Sequence, residues 1–249
     1  ATRGDQVPMM MRQAWKTMKT GRPGPVVLDV PFDIFKENVG SETPDPTTWS
    51  NNISTRCGAD PDGVTKAVNM LLRAKKPVIV VGQGVRYSGA TDELLDLAER
   101  LQIPVAASAS GLGSIPAKHP LSLGLVQRGG TYQSNHACRQ ADVLLAVGVR
   151  FDDRTSSSWI PGYSFTIPPT KLIHVDIDVE EIGRNYPVAL GLMADARTFL
   201  RQMLTELETR KHSKEQTSKS REWLKMIDSY RAEWNVFTAP GYVDESSPI

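Results

Sequence analysis

Between residues 60 and 208 the chain switches repeatedly between two hydrophobic patterns, and this alternation restricts its possible folds more than any other feature. Short apolar runs at 77–81, 105–107, 143–147, 172–176 and 190–193 have the length of strands. Around them lie segments with helical spacing. Asp60-Pro61 supplies a cap and a first-position proline, and Val64, Ala67, Val68, Leu71 and Leu72 form an apolar stripe. A second helix is predicted over 91–101, with Leu94, Leu95, Leu97, Ala98 and Leu101 inward. A third starts near Asp195 and carries Phe199, Leu200, Met203, Leu204 and Leu207. Strands alternating with helices predict an α/β fold, a doubly wound parallel sheet of Rossmann-like type. Ligands of such sheets sit beyond the carboxyl ends of the strands.

The flanks differ. Residues 6–19 read as an amphipathic helix through Val7, Met10, Met11, Ala14 and Met18. A turn-rich Gly21-Arg22-Pro23-Gly24-Pro25 leads to the apolar run Val26-Val27-Leu28-Asp29-Val30, which predicts a strand covered on both faces. A lone helix and a buried-type strand make a poor domain, so residues 1–40 are expected to be the end of a sheet whose other strands lie elsewhere. Residues 41–58, rich in Pro, Thr, Ser and Asn, are expected to be a linker. The sheet region is assigned to 59–210. Residues 211–249 are read as a helical extension, charged as far as residue 220, helix-compatible over 222–234 and a second linker from 238. The first residue is Ala1 and the last stretch is polar with a proline, so both ends are expected to be cut from a longer chain.

Composition narrows the partners. With a net charge of +1 and no basic cluster among aromatics, no nucleic acid is expected. No apolar run approaches the roughly 20 residues of a membrane span. The two cysteines, Cys57 and Cys138, form neither a metal-type spacing nor a disulfide framework, and the four histidines are scattered. A cytoplasmic protein without its own metal site is the expectation.

Several strand ends carry chemistry. Gly82-Gln83-Gly84 follows a strand and opens backbone N–H groups to a phosphate, or is a plain strand-to-helix turn. It lacks the third glycine of a dinucleotide fingerprint. Gly148-Val149-Arg150-Phe151-Asp152-Asp153-Arg154 places Arg150 at another strand end, where a guanidinium suits a diphosphate, or where an Arg–Asp network fixes the loop. In His174-Val175-Asp176-Ile177-Asp178, Asp176 is placed to accept from ribose hydroxyls, Asp178 to cap a following helix, and His174 to be a satisfied core residue. Asp195 reads first as a cap. Ser108 and Ser110 form no nucleophile elbow, and Cys138 and His136 lie two apart on a helix-like stretch, where they do not face each other. No catalytic residue is assigned.

These segments, in this order, closely resemble the large subunits of acetolactate synthases, a family of thiamine-diphosphate enzymes. The resemblance runs over residues 5–205 and also includes Lys76-Pro77-Val78, Ile103-Pro104-Val105, Gly111-Leu112-Gly113 and Glu181-Ile182-Gly183. It implies that residues 1–40 end a pyrimidine-binding domain and that 59–210 form the central domain. In the family that domain binds FAD, without a redox role, or ADP in relatives such as oxalyl-CoA decarboxylase. Carried over by position, the contacts fall on Arg56, Gly82, Gly84, Ser108, Arg150, Asp176, Ile177 and Asp195. The synthases have Gly-Met-His-Gly near the flavin ring, and this chain has Gln127-Arg128-Gly129-Gly130, a departure that bears on the flavin more than on the adenosine half. The resemblance further implies thiamine diphosphate and Mg²⁺, bound by motifs this chain lacks. Its partners would be the pyrimidine- and diphosphate-binding domains of the same polypeptide, in a homodimer or homotetramer. A glyoxylate carboligase-like or oxalyl-CoA decarboxylase-like enzyme and a stand-alone nucleotide-binding module are the alternatives.

Overall fold

Residues 1–40, 45, 56–210 and 214–243 are described by the computed structural model, with backbone alone for 214–219 and 239–243. The chain divides into two units, Ala1–Arg56 and Cys57–Ile249. In the first, helix α1 (Val7–Lys19) forms where the methionine stripe predicts it, with Pro8 in its first turn, yet none of its residues is buried. The Ala1 ammonium donates to Asp29 O (2.5 Å), and Gly4 N–H donates to Glu37 Oε2 (2.6 Å). The segment expected as a strand at 26–30 forms no ladder, and Val27 is 91% exposed. A strand exists through a neighbour's N–H and C=O groups. The described residues of this unit offer it no such neighbour. The linker expected at 41–58 lies outside the described residues, apart from Asp45, Arg56, Cys57 and Gly58.

The second unit opens on helix α2 (Pro61–Arg73), whose cap is the expected one: Asp60 Oδ1 accepts from Gly63 N–H at 3.0 Å. There follow β1 (Pro77–Val81), α3 (Gln83–Ser88), α4 (Thr91–Leu101) and β2 (Val105–Ala107). Next come β3 (Ser122–Leu125), α5 (Tyr132–Gln140), β4 (Val143–Val147), β5 (Lys171–Asp176), β6 (Leu190–Met193), α6 (Ala196–Glu208) and α7 (Lys214–Val243). All six strands are parallel, in the order β3-β2-β1-β4-β5-β6. The doubly wound sheet read from the sequence is therefore the fold. β3 and α3 are additions that the sequence patterns did not announce.

Successive side chains of the inner strands β1, β4 and β5 feed opposite cores, as the two-residue period of a strand demands. Ile79, Val81, Leu145, Val147, Ile173 and Val175 join the stripes of α2, α4 and α6 on one face. Val78, Val80, Leu144, Ala146 and Leu172 meet α5, the segment after β4 and α7 on the other. Each fully buried aliphatic or aromatic side chain contributes roughly 1.5–3 kcal/mol, so both cores are substantial. On the second face the β4–β5 connection forms no regular helix, and α7 supplies the missing cover. Trp223 and Ile227 are buried there, and Trp223 Nε1–H donates to Pro77 O at 3.0 Å. The helix runs on to Val243, through residues 238–243 that composition marked as linker, while 244–249 lie outside the described residues. Just before that last part Trp234 and Phe237 stack on each other, and Thr238 Oγ1–H returns to Trp234 O, so the helical path continues past its charged beginning.

Candidate functional site

The strand order reverses direction between β1 and β4, and the crevice of a doubly wound sheet opens at such a switch point. The residues just past the strands extend the ladder into a shared rim. Gly82 N–H donates to Val147 O (3.1 Å), Ser108 N–H to Val81 O (2.9 Å), Gly148 N–H to Val175 O (2.8 Å) and Ala194 N–H to Asp176 O (3.0 Å). Gly82, Ser108, Arg150, Asp176, Ile177 and Asp195, singled out from sequence, thus stand along one edge. Arg56 is exposed and belongs to the first unit.

Glycine is required at the switch point because two backbones touch there. A Cβ on Gly82 would lie 2.0 Å from Gly148 O, and one on Gly84 would lie 2.8 Å from Gly148 Cα. Gly148 itself has φ +61°, and its Cβ would lie 2.6 Å from Gly84 Cα. The same contact uses up the donors: Gly82 N–H serves Val147 O, and Gly84 N–H reaches Gly148 O at 3.4 Å. The two amides that the Gly82-Gln83-Gly84 turn was expected to offer a phosphate are therefore turned toward the neighbouring strand's end. The turn leads from β1 directly into α3, and its glycines make room for Gly148.

Arg150 is presented by a backbone pinned from β5 and beyond. His174 Nδ1 accepts from Gly183 N–H (3.3 Å), which leaves its Nε2–H to donate to Val149 O (2.8 Å). Asn185 Nδ2 donates to the carbonyls of Arg150 and Phe151, both at 3.1 Å. Burial pushes the His174 imidazole below its ordinary pKa, against smaller upward pulls from the Val149 carbonyl and the Asp176 and Glu181 charges. His174 is thus the satisfied core residue the sequence suggested, and the Arg150 side chain is exposed.

Asp176, at the end of β5, is buried, and its Oδ1 accepts from Asp178 N–H (3.0 Å). Asp178 in turn accepts from Glu180 N–H (3.1 Å), but it caps a turn rather than the helix expected there. The chain leaves that turn at Gly183, with φ +76°, before a helix can propagate. Asp195 caps α6 through Thr198 N–H (3.0 Å) and Thr198 Oγ1–H (3.1 Å), while Ser88 Oγ–H donates to its second oxygen (2.7 Å). Its default reading as a cap is the one its geometry fulfils, and it ties α3 to α6. Ile177 is half-buried, and Ser108 is buried with its carbonyl accepting from Gly111 N–H at 2.9 Å.

Residues 64–203, more than half of the chain, match the family described as the thiamine pyrophosphate enzyme, central domain. The chain belongs to this family. It is similar, at 35% identity over 233 residues, to the acetolactate synthase isozyme 3 large subunit of Escherichia coli, covering 92% of this chain and 39% of that protein. A probable acetolactate synthase large subunit of Methanococcus aeolicus is also 35% identical, over 91% of this chain and 38% of its own length. Among solved structures, benzoylformate decarboxylase from Polynucleobacter necessarius superposes with a TM-score of 0.67 at 25% identity, over 86% of this chain and 38% of that one. The chain therefore spans well under half the length of the relatives it matches.

Within this central domain, the sequence had marked Arg128 only as part of the Gln127–Gly130 departure, and Asn185, Ser158 and Tyr163 not at all. Asn185 holds the loop that carries Arg150, and Arg128, Ser158 and Tyr163 join the segments after β3 and β4. Their partners lie about thirty positions away in the sequence, and no local motif signals them. Among the described residues no helix is long and apolar enough to cross a membrane, and no cluster of His, Cys, Asp or Glu has the makings of a metal site.

Proposed function

We propose that this chain is the central portion of a longer thiamine-diphosphate-dependent enzyme acting on 2-oxoacids, of the acetolactate synthase kind, and that it holds a nucleotide rather than reacting substrate. In this reading residues 1–40 end a pyrimidine-binding domain, 41–58 link it to the central domain at 59–210, and 211–249 lead toward a diphosphate-binding domain. The full enzyme would be a cytoplasmic homodimer or homotetramer. The similarity to acetolactate synthases over nine-tenths of the chain supports the activity class. The likeness to benzoylformate decarboxylase supports a second member of the same chemistry, a decarboxylase. Thiamine diphosphate with Mg²⁺ would supply carbanion stabilisation next to a carbonyl, and neither group is assigned a residue of this chain.

The observation that carries the nucleotide reading is the switch-point rim, where a guanidinium and a carboxylate flank two glycine-lined turns in close contact. With the Gly82 and Gly84 amides committed to carbonyls, the charge for a diphosphate of FAD or ADP comes from Arg150. Asp176 accepts from a ribose hydroxyl. The two turns let the ligand lie close to backbone. Titration calorimetry with ADP and FAD tests this. Wild-type protein should bind a nucleotide, and Arg150→Ala should lose one charge-assisted contact of about 1.5–3 kcal/mol, a drop of about tenfold or more. Equal affinity of the two proteins would remove Arg150 from the site. The chain alone, given pyruvate, thiamine diphosphate, Mg²⁺ and FAD, should release no CO₂ above a protein-free control; release would show that it carries chemistry of its own.

A further inference from the structure

β3 and β4 are not neighbours: β2 and β1 stand between them. At about 4.8 Å per strand, their carboxyl ends lie roughly 14 Å apart. The segments that follow them nevertheless meet. Arg128 Nη2–H donates to Ser158 Oγ at 2.5 Å, and Tyr163 O–H donates to Arg128 O at 3.2 Å. The β3 side of this bridge is stiffened by Asn135, which accepts from Gln127 N–H (3.2 Å) and donates to Gln127 O (2.9 Å). On the β4 side Arg139 Nη1–H donates to Gly162 O at 3.3 Å.

The backbone that presents Ser158 is strained. Ser157, Ser158 and Trp159 have φ of 52°, 57° and 55°, three consecutive non-glycine residues in the left-handed region. That region crowds the Cβ of an L-residue against the next carbonyl, and such outliers persist only where surrounding contacts over-determine them. The contacts are present: Ser157 Oγ meets Ser164 Oγ at 2.7 Å, and Trp159 Nε1–H donates to Phe151 O at 2.9 Å. A strained loop held from both sides so that it can meet an arginine of another loop suggests a use for the meeting.

That use follows from the direction of the ligand and rests on the nucleotide reading above. With phosphates at the β1/β4 switch point and a ribose at Asp176 on β5, one half of a dinucleotide lies toward β5. The other half must run the opposite way along the edge, across β1 and β2 toward β3, which is the interval the Arg128–Ser158 bridge spans. We propose that the Arg128–Ser158 bridge closes the β3 half of the carboxyl edge, so that the site accepts a nucleoside diphosphate and excludes a dinucleotide.

The probes are ADP and FAD, titrated calorimetrically into the whole chain, with Ser158→Gly and Arg128→Gly as variants. Ser158→Gly removes the acceptor, and glycine is at ease at φ +57°, so this variant should unfold at a urea concentration no lower than wild type. Wild-type protein should bind ADP at least tenfold more tightly than FAD. Both variants should keep ADP affinity within about threefold and gain at least tenfold for FAD, since a nucleotide fills the freed half. Wild-type protein that binds FAD as tightly as ADP would overturn the bridge's role while leaving the nucleotide reading intact. The same holds for variants that keep ADP and still reject FAD. Binding of neither probe to wild type would defeat the nucleotide reading itself, and the bridge's role with it.

Discussion

Replacing Gly148 by alanine tests whether the switch point is built on backbone contact. Two costs arise at this position. The residue sits at φ +61°, where an L side chain loses about 1–2 kcal/mol. Its new Cβ would also lie 2.6 Å from Gly84 Cα and 2.9 Å from Gly84 N, backbone atoms that no rotamer change can move aside. Overpacking of that kind adds about 1–3 kcal/mol, so Gly148→Ala should cost about 2–5 kcal/mol in all. Gly89 separates the two costs, because it has φ +65° and a Cβ there would meet nothing within 4 Å, so Gly89→Ala should cost only about 1–2 kcal/mol. Gly82→Ala isolates the steric cost, since Gly82 has φ −118° and its Cβ would fall 2.0 Å from Gly148 O. Urea unfolding followed by far-ultraviolet ellipticity reads the difference. With a slope of about 2–3 kcal/mol per molar, Gly148→Ala should lower the midpoint by about 1 M or more and Gly89→Ala by about half that. Equal losses for Gly148→Ala and Gly89→Ala, with Gly82→Ala harmless, would refute the close-contact account and return the glycines to a purely conformational role.

Two further predictions concern the cores. Trp223→Ala should cost about 3–5 kcal/mol, and Trp223→Phe about 1–3 kcal/mol from the stranded Pro77 carbonyl, both read as urea midpoints; a neutral Trp223→Ala would mean that α7 does not cover the sheet. His174 has a pKa depressed in the folded state, chiefly by burial, so the unfolded chain binds more protons once the pH falls below about 6.5. The stability this neutral imidazole contributes is fully present above that pH and is lost as the pH falls toward the folded-state pKa. His174→Gln should therefore flatten the fall in urea midpoint between pH 7 and pH 5, and an unchanged slope would exclude His174 as a source of it.

What the sequence disclosed depended on how local the cause was. Helix α2 could be read in full, because its cap, first-position proline and apolar stripe lie within a single short stretch. The buried strands were equally plain, since each is a short apolar run closed by a glycine, serine or aspartate. β3 escaped because Ser122-Leu123-Gly124-Leu125 has little strand propensity and holds its place through a register shift against β2, with Gly124 at φ +80°. The apolar run at 26–30 was read as a strand whose partners lie elsewhere, and without a partner among the described residues it forms no ladder. α7 was seen as helix but not as cover, although Trp223 and Ile227 stand four apart. Its burial follows from the absence of a regular helix between β4 and β5, a non-local fact. At the site, the strand-end positions were legible from topology. The fate of the Gly82 and Gly84 amides was not, because it is decided by Val147 and Gly148, more than sixty residues away.

The same geometry bears on where chemistry is done. Four buried groups of this unit that resemble acids, bases or nucleophiles are His174, Asp195, Cys138 and Glu93. His174 spends both ring nitrogens on backbone, and Asp195 spends both oxygens on a cap and on Ser88. Burial raises the Cys138 thiol far above the range in which it would ionise, with only a weaker opposing pull from Ser134. Burial also works against the Glu93 carboxylate, but hydrogen bonds from Arg197, its own backbone and Arg201, with the Arg197 charge, outweigh it and hold the group ionised. A general base has to exchange its proton near neutral pH and reach a substrate atom. None of these four groups meets both requirements. What faces outward at the switch-point edge is Arg150, and a guanidinium binds anions without giving up its proton. An exposed guanidinium beside buried groups such as His174 and Asp195 that are hydrogen-bonded on both sides is suited to holding an anionic ligand in place. That division agrees with the nucleotide-holding role proposed above.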